Sequence, residues 1–220
     1  MAADTIDLHS VRILPEAIDA TLGLPPDPVG LVLFAHGSGS SRMSPRNIYV
    51  AEQLREAGFA TLLIDLLLAH EQWDRANVFD ITLLARRLLA AIRWADGQDR
   101  LSRLPIGLFG ASTGAGAALV AAAALPQRVA AVVSRGGRPD LAGAGALARV
   151  RAPTLLIVGS LDTDVLALNR AAASHLRCAH ELSIIPGAGH LFEEPGTMDM
   201  VVDRARAWFA RHLKPQGAGE

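Results

Sequence analysis

The sequence predicts an α/β fold: a three-layer α/β/α sandwich around a sheet of about eight strands, mostly parallel, with antiparallel strands at its N-terminal end. Three observations predict it. Unbroken apolar runs, such as GLVLFA at Gly30–Ala35 and TLLIV at Thr154–Val158, suit strands buried on both faces. These runs alternate with amphipathic stretches of helical period, the pattern of a parallel sheet covered by helices. The chain is also long enough, at 220 residues with 50% hydrophobic, to bury roughly 70% of its unfolded surface without staples.

The elements follow in order. Residues 5–14 alternate, with Ile6, Leu8, Val11 and Ile13 between polar groups. Residues 17–24 do the same, so both read as half-exposed antiparallel edge strands. The prolines at 25, 26 and 28 turn the chain. After Gly30–Ala35, Ser44 caps a helix that Pro45 opens, Val50, Ala51, Leu54 and Ala57 line, and Gly58 stops. Phe59–Leu67 reads as a buried strand. Residues 78–95 place Ile81, Leu84, Leu88 and Ile92 on one stripe of a helix. Pro105–Phe109 is a strand, followed by a small-residue helix from Thr113 to Ala124. Ala130–Ser134 and Thr154–Val158 are strands, 164–177 a helix, Leu182–Ile185 a strand and 197–213 a closing helix. The reading is one domain over residues 1–214 and an unstructured tail over 215–220.

Composition excludes several functions. Lys plus Arg total 21 against 22 for Asp plus Glu, so there is no electrostatic footprint for nucleic acid or an anionic membrane. The single cysteine, Cys178, allows neither a disulfide framework nor a Cys-rich zinc module. No apolar run approaches the ~20 residues of a membrane span. MAADTIDLHS lacks the basic and apolar regions of a secretory leader. A cytoplasmic protein acting on a small molecule is therefore expected, with a homodimer left open. His175 and His180 are spaced wrongly for one helix face, no lysine follows the glycine-rich loops, and GASTGAG does not match a dinucleotide fingerprint. Neither a metal nor a cofactor is expected.

Chemistry concentrates in loops that follow buried strands. After PIGLF comes Gly110-Ala111-Ser112-Thr113-Gly114, a G-x-S-x-G turn between strand and helix that projects a serine hydroxyl. A free serine is a poor nucleophile and needs a base. After LSII, PGAGHLF places His190 on the same sheet edge; after TLLIV, GSLDTDV supplies Asp162 and Asp164. Asp162 is the favoured orienter of the imidazole and Asp164 the helix cap, with Asp65 a further alternative. The HGSGSS loop after GLVLFA can aim backbone amides at an oxyanion. The chosen donors are the amides of Thr113 and Ser38, with Gly39 the alternative to Ser38. His36 is read as structural.

The chain order Ser, Asp, His on these loops resembles the α/β-hydrolase superfamily over essentially the whole length. HGSGSSRMSPRN, GLFGASTGAGAAL, SRGGRPDLAG and PGAGHLFEEPG resemble its dienelactone hydrolase-like branch. They are most similar to small bacterial hydrolases, some of which occur joined to a phosphoribosyltransferase domain. Dienelactone hydrolase proper uses a cysteine nucleophile; here the elbow residue is Ser112. The resemblance implies an ester hydrolase with catalytic Ser112, His190 and Asp162. An acyltransferase or perhydrolase with the same triad, or a non-catalytic binding protein of this fold, are the alternatives. Only residues 138–152 stand where larger hydrolases carry a cap domain, so none is expected and the substrates should be small. Arg42 and Arg46 follow the HGSG loop, and Arg135 and Arg138 follow AAVVS. Arg135 with Arg42 is read as a clamp on an anionic part of the substrate. The alternative pairs Arg135 with Glu71, Asp65 or Glu193.

Overall fold

Strand residues of opposite parity enter two separate cores, which builds the layers. In a computed structural model that describes residues 6–214, Leu31, Leu33 and Ala35 belong to one apolar cluster and Val32 and Phe34 to the other. This period-two division makes the strand apolar at every position.

The strands are β1 (Asp7–Ile13), β2 (Ile18–Leu24), β3 (Leu31–Ala35), β4 (Ala60–Ile64), β5 (Ile106–Ala111), β6 (Val129–Arg135), β7 (Thr154–Gly159) and β8 (His180–Ile185). They form one eight-stranded sheet in the order β1-β2-β4-β3-β5-β6-β7-β8. β1–β2 and β2–β4 pair antiparallel and all later pairs are parallel. With helices on both faces, this is the three-layer sandwich that the strand pattern predicted, and the α/β-hydrolase architecture that the resemblance implied. The tail at 215–220 and the first residue of the 5–14 strand lie outside the described residues.

The helices are α1 (Pro45–Glu56), α2 (Arg75–Phe79), α3 (Ile81–Asp96), α4 (Thr113–Ala124), α5 (Ala144–Leu147), α6 (Thr163–Ala173) and α7 (Thr197–His212). α1 and α7 cover one face through Val50, Leu54, Val201, Ala205 and Phe209. α3 and α4 cover the other through Leu84, Leu88, Ala118 and Ala122. The stretch read as one helix over 78–95 is two. Asp80 closes α2 with its backbone N–H and caps α3 by accepting the Leu83 N–H at 2.9 Å. The strand read as Phe59–Leu67 ends at Ile64. Leu66 and Leu67 are apolar because they enter the core and a cavity wall, not because they pair. Between β6 and β7 there is only a 3-10 turn at Pro139–Ala142 and the single turn of α5.

This order has one functional consequence. The loops after β3, β5, β6, β7 and β8 leave the carboxyl edge of parallel strands beside the position where the sheet winding reverses, which is where ligands bind in open α/β sheets.

Candidate active site

Ser112 stands between β5 and α4 with φ 49° and ψ −121°, a conformation that side chains disfavour at a cost of about 1–3 kcal/mol. The neighbouring glycines enforce it by close approach. A Cβ on Gly110 would lie 2.5 Å from the Ala115 Cα, and one on Gly114 would lie 2.2 Å from the Ala35 carbonyl oxygen. Two backbone bonds hold the turn against β6: Ser112 N–H to the Arg135 carbonyl at 3.3 Å, and Arg138 N–H to the Ser112 carbonyl at 3.0 Å. Ser112 supplies no side-chain cap to α4, so its hydroxyl is not consumed by the helix.

His190 sits in the loop after β8. Its Nδ1 lies 2.6 Å from Asp162 Oδ2. With Nδ1–H donating to the carboxylate, the neutral ring leaves Nε2 as an acceptor. Asp162 occupies the N-cap position of α6, yet its side chain makes no cap bond; its carboxylate is committed to the imidazole instead. Asp164 lies in the first turn of α6. The His190 loop is braced by Glu194, whose Oε1 accepts the Gly189 N–H at 3.0 Å, while the Glu194 carbonyl accepts the N–H and hydroxyl of Thr197 at the start of α7. Ser112 and His190 both line a cavity of about 220 Å3, with Ser38, Arg46 and Arg135 on its walls.

A second cavity of about 230 Å3 lies across the Gly37–Ser40 loop, walled by Leu66, Leu67, Trp73, Val78 and Leu84 and reached by Thr113. Ser38 lines both cavities, whereas Gly39 lines only this second one. Thr113 is the first residue of α4, so its amide has no carbonyl one turn earlier to bond. Both ring nitrogens of His36 are committed to backbone groups. Its Nε2 accepts the Leu66 N–H at 2.9 Å and its Nδ1 donates to the Gly37 carbonyl at 2.9 Å. Burial pulls this imidazole below its ordinary value, keeping it a neutral strut between the loops after β3 and β4.

The arginines separate into two sets. Arg42 does not join Arg135. Ala35 and Ile64 are paired neighbours, so the loops that follow them run side by side. Arg42 is thereby placed against Asp65, which takes both its guanidinium and its backbone N–H. The carboxylates considered as partners for Arg135 are all engaged elsewhere: Asp65 by Arg42, Glu71 by Arg87 at 2.8 Å, and Glu193 by Arg46 at 2.9 Å. Arg135 is 6% exposed and meets no carboxylate among the described residues. Its Nη2 donates to Asn47 Oδ1 at 3.4 Å, and its guanidinium stands 5.8 Å from the Phe192 ring centroid. Burial, with the nearby charge of Arg46, lowers it to about 10, so it stays a cation at neutral pH. Arg46 and Asn47 of α1 are the wall residues that the arginine reading did not pair with Arg135. Their position beside Ser44 in the first turn of α1 was visible in the sequence, but their approach to the end of β6 was not.

Cys178 lies far from this edge. Its half-buried thiol bonds Thr154 Oγ1 at 3.8 Å, at the opening residue of β7, and burial raises it above its ordinary value. Both features remove it as a nucleophile. Among the described residues no group of His, Cys, Asp and Glu is placed to hold a metal. No helix there is long and apolar enough to cross a membrane.

Comparison with known proteins identifies the family and agrees with the fold. Residues 18–213 match the family model described as the dienelactone hydrolase family. A crystal structure of a dienelactone hydrolase from Anabaena variabilis superposes with a TM-score of 0.91 at 52% identity, covering 96% of this chain and 99% of that one. Est1E from Butyrivibrio proteoclasticus, solved with ferulic acid, shares the fold at a TM-score of 0.78 and 19% identity, over 92% of this chain and 98% of that one. Among curated proteins, a Mycobacterium tuberculosis protein named as a phosphoribosyl transferase is 57% identical over 199 residues, 90% of this chain and 45% of that protein. The chain thus spans about half the length of that relative. A Bradyrhizobium protein named as a 2-oxo-3-(5-oxofuran-2-ylidene)propanoate lactonase is 30% identical over 165 residues, 66% of each chain. The chain belongs to the dienelactone hydrolase family.

Proposed function

We propose that this chain is a serine hydrolase that cleaves small carboxylic esters through an acyl-enzyme. The observation that carries the reading is the convergence of a strained, uncapped Ser112 and an Asp162-bound His190 on one cavity.

His190 Nε2 takes the Ser112 proton as Oγ bonds to the ester carbonyl carbon. The resulting oxyanion is met by the amides of Thr113 and Ser38, a donor of this kind contributing about 3–4 kcal/mol to the transition state. Collapse breaks the bond to the alcohol oxygen, which leaves with the proton from His190. Water repeats the cycle on the acyl-enzyme: its oxygen bonds to the acyl carbon, and Ser112 recovers its proton. Asp162 holds the ring and stabilises its cationic form. The lactonase name of the Bradyrhizobium relative is consistent with this class, because a lactone is a cyclic ester.

The test is labelling by a fluorophosphonate probe. Wild type should be labelled and should hydrolyse a nitrophenyl ester of a short acid, and Ser112→Ala should do neither. Labelling of the alanine variant, or none of wild type, overturns the assignment.

A further inference from the structure

We infer that a cavity at the amino edge of the sheet, walled by Arg149, Arg151 and Arg177, is a binding site for an organic diphosphate, separate from the cavity of Ser112 and His190.

Its walls come from segments that lead into parallel strands. Pro126 precedes β6, Arg149 to Arg151 precede β7, and Arg177 and Cys178 precede β8. Ser112, Asp162 and His190 instead follow β5, β7 and β8, so the two cavities lie at opposite edges of the sheet. Local sequence places the cations. Val150 is 2% exposed and Leu176 is 7% exposed. Each anchors its segment in the core and leaves the neighbouring Arg149, Arg151 and Arg177 exposed.

The chain is nearly neutral, at −1, yet no acidic side chain lines this cavity of about 500 Å3. None of its three arginines enters an ion pair among the described residues, whereas seven other arginines do. Like charges gathered in one concavity repel, and an anion between them removes the repulsion. Guanidinium forks match phosphate oxygens in pairs. One phosphate group carries about −1.5 to −2 at neutral pH, too little for three guanidinium groups, and a diphosphate supplies the rest. Pro126 and Val150 add an apolar wall beside the arginines, which suits an organic group attached to the diphosphate.

The experiment is calorimetric titration with ADP, pyrophosphate and orthophosphate, at fixed ionic strength and without added divalent cation. ADP and pyrophosphate should bind saturably, at one site per chain, and at least tenfold tighter than orthophosphate. Arg151→Gln and Arg177→Gln, both at exposed positions, should each weaken ADP binding at least fivefold while the Tm of the unliganded protein stays unchanged. Arg204→Gln, exposed on α7 and outside the cavity, should bind as wild type does. Cys178 is the chain's single cysteine and lines the same cavity, so ADP should slow its alkylation by N-ethylmaleimide at least threefold. No saturable binding of ADP, equal affinity for orthophosphate, unchanged binding in both cavity variants, or alkylation that ADP does not slow overturns the inference. Tighter binding of tetraglutamate than of ADP also overturns it, and assigns the cavity to an acidic protein segment. All of these are read without ester hydrolysis, so their failure leaves the esterase reading as it stands.

Discussion

Ser112 holds a backbone conformation that its own Cβ opposes, at φ 49°. The strain is kept because Gly110 and Gly114 bring the backbones of β5, α4 and β3 too close for any other path. Removing the Cβ should therefore stabilise the fold while removing the proposed nucleophile. Ser112→Gly is expected to gain about 1 kcal/mol, a rise in Tm of about 2–4 °C; a lower Tm would show that the strain is not stored there. His36 couples stability to pH. Burial holds it below 6.5, against the smaller opposing effects of the Gly37 carbonyl and Asp65. Between its folded value and 6.5 the unfolded chain binds more protons, so this contribution is complete above about pH 6.5 and falls as pH drops toward the folded value. The urea midpoint should fall from pH 7 to pH 5, and fall less in His36→Asn; equal falls would sink the assignment. Single residues of this kind were legible in part. Ser112, His190 and Asp162 follow from residue type at strand ends, whereas the orphaned state of Arg135 depends on which arginine reaches each carboxylate first.

At the scale of elements, α2 and α3 show what periodicity misses. The apolar stripe runs on from Val78 to Ile81 without a gap, so a single helix fits it. The break is made by a capping bond from Asp80 to the Leu83 N–H. Asp80→Ala is expected to cost about 1 kcal/mol and lower Tm by about 2–4 °C, while Asp80→Asn, an equally good cap, should keep most of it. Equal losses in both would mean that charge, not the acceptor, matters. β4 and β8 fail in opposite directions for one reason. Leu66 and Leu67 extend the apolar run past the last pair of β4, while His180 and Glu181 of β8 pair with β7 through backbone alone at the sheet edge. Apolar character reports burial, and pairing reports register.

At the scale of the molecule, the 138–152 segment holds only two short turns and two small cavities flank one loop. The apolar cavity of about 230 Å3 is lined by the buried core residues Leu66 and Leu84 and by Trp73, which is 90% exposed. A series of nitrophenyl esters from acetate to decanoate should peak at short acyl chains and decline beyond; a maximum at the long end would contradict this shape. The sequence by itself determined the layer architecture and the strand-end positions of Ser112, Asp162 and His190, because burial on two faces and sharp strand-to-helix turns each demand residue types that can be read locally. Only the tertiary structure decided that Asp65 belongs to Arg42, that Glu193 belongs to Arg46, and that Arg135 shares a cavity with Ser112 without a counter-charge among the described residues. Those pairings join loops far apart in the chain, and they are set by which strands lie adjacent in the sheet, an order that local pattern does not encode.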